Sequence, residues 1–172
     1  MHVLQWIAVQ AENDDEAMRL VEQDLQSKLG DDPYTYNAWY DWFVIGGGRF
    51  NPDQDPYQSS SNMIVHSKDR DKFDKTIVEV MTARVAEFNS YRKSFEAKDL
   101  DLGAKLDGYT GEMRYDFELY ELKKMIDMIQ GEWDMNSYFF DIHHESTNVN
   151  HMQNDLDLNP DMWYLVPVDF HF

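Results

Sequence analysis

At 172 residues the chain has room for one ordinary domain with a real core, and a 42% hydrophobic share with 15% aromatics excludes wholesale disorder. A formal charge of −18, from 33 acidic against 15 basic residues, repels nucleic-acid phosphate, so no direct DNA or RNA binding is expected. No apolar run approaches the ~20 residues of a membrane span, and a chain without cysteine has no disulfide, thiolate nucleophile or Cys-bound zinc, which fits a cytoplasmic protein.

In chain order, His2 to Gln10 is a strand rich in Val, Ile and Trp. Asn13, three residues before Glu16, forms a capping-box signature. The helix behind it carries Ala17, Leu20, Val21, Leu25 and Leu29 on one stripe and stops at Gly30. After the turn Asp31-Asp32-Pro33 the chain becomes aromatic, with Tyr34, Tyr36, Trp39, Tyr40, Trp42 and Phe43. Asp41 to Ile45 reads as a second strand ended by three glycines, and Asn51 to Ser61, with its prolines and serines, as an exposed loop.

Asn62 to His66 is a short third strand, and Ser67 or Asp69 is placed to cap the helix behind it. That helix repeats Phe73, Ile77, Met81, Val85, Phe88, Tyr91 or Arg92, and Phe95 at helical spacing, over roughly seven turns. Lys98 to Gly111 is a polar loop, Arg114 to Gln130 a third helix, Tyr138 to Glu145 a fourth strand, and residues 146–161 a loop dense in Asn and Asp. Trp163 to Phe172 is a fifth strand. The order β-α-β-β-α-α-β-β predicts a single α+β domain over residues 1–172. Its form would be a two-layer sandwich with a ferredoxin-like split β-α-β core, helices on one face, an added helix and an added edge strand.

The run from Trp42 through Gly46-Gly47-Gly48 to Arg49 is the leading candidate for contact with a ligand or partner. Consecutive glycines are kept where a chain needs positive φ or a close approach, and Arg49 beside freed N–H groups suits a phosphate or carboxylate. The plain alternative is a glycine bulge with Arg49 paired to a nearby acid. No Lys-Ser/Thr follows and no G-x-G-x-x-G opens a helix, so neither nucleotide-loop pattern applies.

Alternation puts Asp141, His143 and Glu145 on one face of the fourth strand, and Asp169 and His171 on one face of the fifth. Were those faces to coincide on paired strands, Asp141, His143, Asp169 and His171 would make a two-His, two-carboxylate site for a divalent metal. Otherwise these are solvated rim positions. Asp155-x-Asp157-x-Asn159-x-Asp161 copies the first half of a calcium loop, but Pro160 stands where glycine is needed and Val166 where the bidentate Glu belongs. The aromatics Trp39, Tyr40, Trp42 and Phe43, with Trp6 and Trp163, exceed what one sheet face buries. They would serve either a protein contact or a large aromatic core.

The segment Tyr40-Asp-Trp-Phe-Val-Ile-Gly-Gly-Gly-Arg-Phe50, with the ending Val168-Asp169-Phe170-His171, resembles small uncharacterised bacteriophage-encoded proteins, including those of marine bacteria. Their pattern is an opening strand-helix, then Asp-Trp-Tyr/Phe-x-Ile/Val-Gly-Gly-Arg-Trp/Phe and an ending near Val-Asp-x-His. Here there is one more glycine, and no Ser-Gly follows the aromatic. The resemblance implies a phage or phage-like origin, and hence the host cytoplasm, without naming an activity.

No strong catalytic motif occurs, so the expectation is a non-enzymatic binding or accessory protein that contacts a protein partner or self-associates. A small-ligand or metal-dependent enzyme using Arg49 with His143, Asp169 and His171 is the alternative. A further one is an acidic DNA mimic, although the acids are scattered and not gathered on one periodic face.

Overall fold

Two segments far apart in sequence pair along their whole length to form the centre of the sheet. In the computed structural model, which describes residues 2–29, 38, 40–96, 137–140, 146–147 and 161–171, strand β1 (His2–Gln10) runs antiparallel to β6 (Trp163–His171). His2 faces His171 at one end of the pairing and Gln10 faces Trp163 at the other. The opposite edge of β6 is shared by two short strands. β2 (Trp42–Ile45) covers Val168 to His171, and β3 (Val65–His66) covers Tyr164 and Leu165. β4 (Ser137–Phe140) lies parallel to β1, and β5 (Ser146–Thr147) is antiparallel to β4. The order is β2-β6-β1-β4-β5, with β3 also on β6.

The burial of β6 explains its central place. Every residue from Trp163 to Phe170 is buried, as expected of a strand covered on both faces. Its even-numbered side chains, Tyr164, Val166, Val168 and Phe170, pack with Ile7 and Val9 against Ala17, Val21, Leu25 and Leu29 of helix α1 (Asp14–Leu29). The odd-numbered Trp163 and Leu165 pack with Ala8 against Phe73 and Ile77, near the start of helix α2 (Arg70–Glu96).

The fold is therefore α+β, but the two-layer expectation is corrected. α1 and the beginning of α2 lie on opposite faces of the sheet, because β6 carries apolar side chains on both of its faces. The third strand is also shorter than expected: Ile64 donates to the Ser61 carbonyl in a turn, and only Val65 and His66 pair. The expected helix 114–130, the loop 98–111 and most of the loop 146–161 lie outside the described residues. The chain falls into two compact units, Met1–Val80 with Met135–Phe172, and Met81–Asp134. The sheet belongs to the first; the described part of the second is the continuation of α2, where Val85 is exposed. Among the described residues no helix is long and apolar enough to cross a membrane.

Both described helices start as their sequences direct. Asn13 Oδ1 accepts the Glu16 N–H at 2.9 Å, and the Glu16 carboxylate reaches back to the Glu12 N–H at 2.8 Å. At α2 the cap is Asp69, whose carbonyl accepts the Phe73 N–H at 2.9 Å and whose carboxylate faces the Lys72 N–H at 3.4 Å. Ser67 has a different task. Its N–H donates to the Trp163 carbonyl at 2.8 Å and its hydroxyl accepts the Trp163 N–H at 3.2 Å, joining the end of β3 to the start of β6.

Asn13→Ala removes the first of these caps and should lower stability by about 1 kcal/mol. The loss would be read as an earlier urea midpoint at unchanged slope. His66 supplies a pH-dependent component. Its Nδ1 accepts the Lys68 N–H at 2.8 Å, and burial, followed by the Lys68 charge, pushes its pKa below 6.5 against the opposing pull of Asp14 and Asp161. The unfolded chain then binds this proton more readily than the folded one. The stabilising contribution is complete above 6.5 and is lost as pH falls through the lower folded value. Between about pH 7.5 and pH 5 the wild type should lose more melting temperature than His66→Gln does.

Candidate functional site

The site grows from the place where β2 ends. Gly46, Gly47 and Gly48 have φ of 84°, 88° and 45°, a left-handed run that side chains resist. The Gly46 and Gly47 N–H groups both donate to the Pro167 carbonyl, at 2.7 and 2.9 Å. Pro167 lacks an N–H of its own, and a strand residue directs its N–H and C=O to the same edge. The missing donor therefore falls on the edge between β2 and β3, where no ladder partner is required, and a proline is tolerated in a central strand.

Space enforces the glycines as firmly as φ does. A Cβ on Gly46 would strike the Ser60 backbone, and one on Gly48 would come within 2.7 Å of an Asp169 carboxylate oxygen. The expected exposed loop 51–61 is accordingly buried at its base. Ser60 donates from its backbone to the Ile45 carbonyl at 3.3 Å, and the Asn51 side chain reaches the Gly46 carbonyl at 3.4 Å.

One turn of 3-10 helix, Gly48–Phe50, then aims the chain at Asp169. The Arg49 N–H donates to Asp169 Oδ2 at 3.1 Å, and the Arg49 Nε lies 3.6 Å from the same oxygen. The other oxygen, Oδ1, is held by His2 Nδ1 at 2.9 Å. Asp169 is fully buried, so both its oxygens are engaged in the interior. The phosphate-like niche expected from Gly46, Gly47, Gly48 and Arg49 thus surrounds a carboxylate of the protein itself.

Outward of Asp169 lies a layer of rings drawn from three adjacent strands at one level. His171 faces His2 on one side and Trp42 on the other. Trp42 stacks on His171 with ring centres 5.0 Å apart and an interplanar angle of 14°, and meets His2 edge-on at 5.1 Å. The two imidazoles are 4.8 Å apart. His171 Nδ1 is 2.6 Å from Asp41 Oδ1, and Tyr57 leans over Trp42 at 6.2 Å.

Of the residues singled out in the sequence, Trp42, the three glycines, Arg49, Asp169 and His171 come together. Asp141 and His143 lie outside the described residues. β1 lies between β4 and β6, because the long β1–β6 register takes that edge. Among the described residues no set of three or more His, Asp or Glu is arranged to hold a metal. Asp161 is exposed, while the other carboxylates of the calcium-like run lie outside the described residues.

His2, Asp41 and Tyr57 are members that the sequence reading passed over. Alternation along the first strand places His2 on a definite face, but its neighbours emerge only from the register with β6. Of the aromatics named from the sequence, Tyr40 and Trp163 are core, Trp6 and Phe43 pack partly buried against it, and Trp39 lies outside the described residues. Tyr40 packs on Phe170 and donates its hydroxyl to the Leu25 carbonyl at 2.8 Å, and Trp163 is buried with Phe73. Phe50 and Tyr57, at 40% and 71% exposure, are the aromatics that reach solvent beside the site.

No family model, curated protein or solved structure matches this chain.

Gly46→Ala is expected to cost at least about 1–2 kcal/mol from the left-handed backbone alone, with the Ser60 collision adding to it. Urea unfolding would measure the loss. A variant as stable as the wild type would show that the turn readily adopts another path.

Proposed function

We propose that the protein is a non-enzymatic accessory protein, phage-encoded and acting in the host cytoplasm. It would contact a protein partner through the rim of the glycine turn. The observation that carries this reading is the contrast between the inside and the outside of the cluster. Inside, Asp169 is enclosed with both oxygens bonded, which removes it from general acid or base work. Outside, Arg49, Phe50 and Tyr57 are exposed on one short stretch that is anchored from beneath by the Asp169 and Pro167 bonds.

Tyr and Arg are the residue types that dominate binding energy at protein interfaces, and a rigid support lowers the ordering cost of using them. Arg49 is 42% exposed, and among the described residues its guanidinium contacts Asp169 through Nε. A guanidinium exposed to that extent is suited to a carboxylate of the partner. The resemblance of Tyr40 to Phe50 and of Val168 to His171 to bacteriophage proteins supports the origin. The structure joins those two segments, since Arg49 meets Asp169 and Trp42 meets His171.

The test is capture from bacterial lysate on immobilised full-length protein, with soluble protein as competitor. One saturable, competed partner is expected, and it should be lost on the double substitution Phe50→Ala with Tyr57→Ala, which leaves the buried bonds in place. No saturable partner, or undiminished capture by the double variant, would overturn the reading.

A further inference from the structure

Two histidines meet at the outer end of the sheet, each already tied through one ring nitrogen to a carboxylate. His2 Nδ1 is held by Asp169 at 2.9 Å and His171 Nδ1 by Asp41 at 2.6 Å. An ionised carboxylate only accepts hydrogen bonds, so each Nδ1 carries the proton. In the neutral ring this leaves the lone pair on Nε2. Among the described residues neither Nε2 has a hydrogen-bond partner.

A carboxylate behind the far nitrogen of an imidazole is how proteins set the tautomer and orientation of a metal-ligating histidine. The spacing of the rings agrees. Two imidazoles on one tetrahedral ion, with metal–nitrogen bonds of about 2.1 Å, have ring centres ~5 Å apart. Here the centres are 4.8 Å apart with the planes at 62°. His171 is 30% exposed and His2 13%, so the pair is supported from within and open from without.

We propose that His2 and His171 together bind one divalent first-row transition ion, Zn(II), Ni(II) or Cu(II), through their Nε2 atoms. Asp169 and Asp41 act as the orienting carboxylates. Imidazole nitrogen suits these ions, whereas Mg(II) and Ca(II) prefer oxygen. The protein supplies two ligands, and water completes the sphere. The carboxylates are bound on the Nδ1 side of the rings, which fits the finding that no three His, Asp or Glu among the described residues converge on a metal position. The net charge of −18 draws cations toward the surface as a whole. This inference does not depend on the protein-partner reading.

Trp42 reports on the site. It lies 5.0 Å from His171 and 5.1 Å from His2, within reach of quenching by a paramagnetic Cu(II) ion on those rings. Full-length, untagged, chelator-treated protein would be titrated with Zn(II) by calorimetry and with Cu(II) by tryptophan fluorescence. The expected result is one ion per chain, and quenching that largely disappears in Trp42→Phe while Zn(II) binding persists.

His171→Gln should weaken Zn(II) binding at least tenfold, and Asp41→Asn, which removes only the orienting carboxylate, should weaken it by about tenfold. Circular-dichroism melts check that each variant is folded, and Asp41→Asn carries the test if His171→Gln is not. No stoichiometric binding by the wild type would overturn the proposal. So would affinity unchanged in folded His171→Gln, which would place the ion on other histidines, or Cu(II) quenching unchanged in Trp42→Phe.

Discussion

The carboxylate of Asp169 is the constraint around which this structure is arranged. It sits with no exposure in the central strand, where an unpaired charge would be untenable. Removing one partner from a buried charged group typically costs about 3–5 kcal/mol, because the other is left without compensation. Three groups from two distant parts of the chain supply that compensation: the His2 ring, the Arg49 N–H and the Arg49 guanidinium. The start of β1 and the turn after β2 are thereby held to the same point of β6. Hydrophobic burial alone, being non-directional, would not set that register.

A second local conflict is settled at the neighbouring residue but one. Pro167 removes a ladder donor from the strand that has the most neighbours, a position where proline is ordinarily excluded. The exclusion is lifted because β2 and β3 meet the same edge of β6 on either side of it, leaving a gap that the Gly46 and Gly47 N–H groups fill by donating to its carbonyl. Without glycine the chain could not turn there, and without the turn Arg49 would not face Asp169. The glycine run that stands out in the sequence is thus the backbone counterpart of a proline and an aspartate more than a hundred residues away.

That dependence explains what could be read from the sequence and what could not. Features with short-range causes were legible: the Asn13–Glu16 cap, the α1 stripe, the turn at Gly46, and the shared face of Asp169 and His171. Each needs only a helix or strand period and local side-chain chemistry. Features with long-range causes were not. The two apolar faces of β6 look like one hydrophobic run until its neighbours are known, so the placement of α1 and the beginning of α2 on opposite faces was hidden. His2 carried no local sign of its role, because its partners come from residues 169 and 171 through strand register.

The balance of charge within the cluster differs from that of the chain around it. Over the whole sequence acids outnumber bases 33 to 15, yet in the cluster Asp41 and Asp169 face Arg49, His2 and His171. The surplus of acid elsewhere produces a broad field that raises the local concentration of cations and of basic surfaces without selecting among them. Selection requires fixed geometry. It is found where the carboxylates are already paired, two imidazoles are held by their inner nitrogens, and Arg49 and Tyr57 project from a turn whose backbone is over-determined. At the proposed metal site, that field would raise the local concentration of cations, and the two held imidazoles would decide which of them stays.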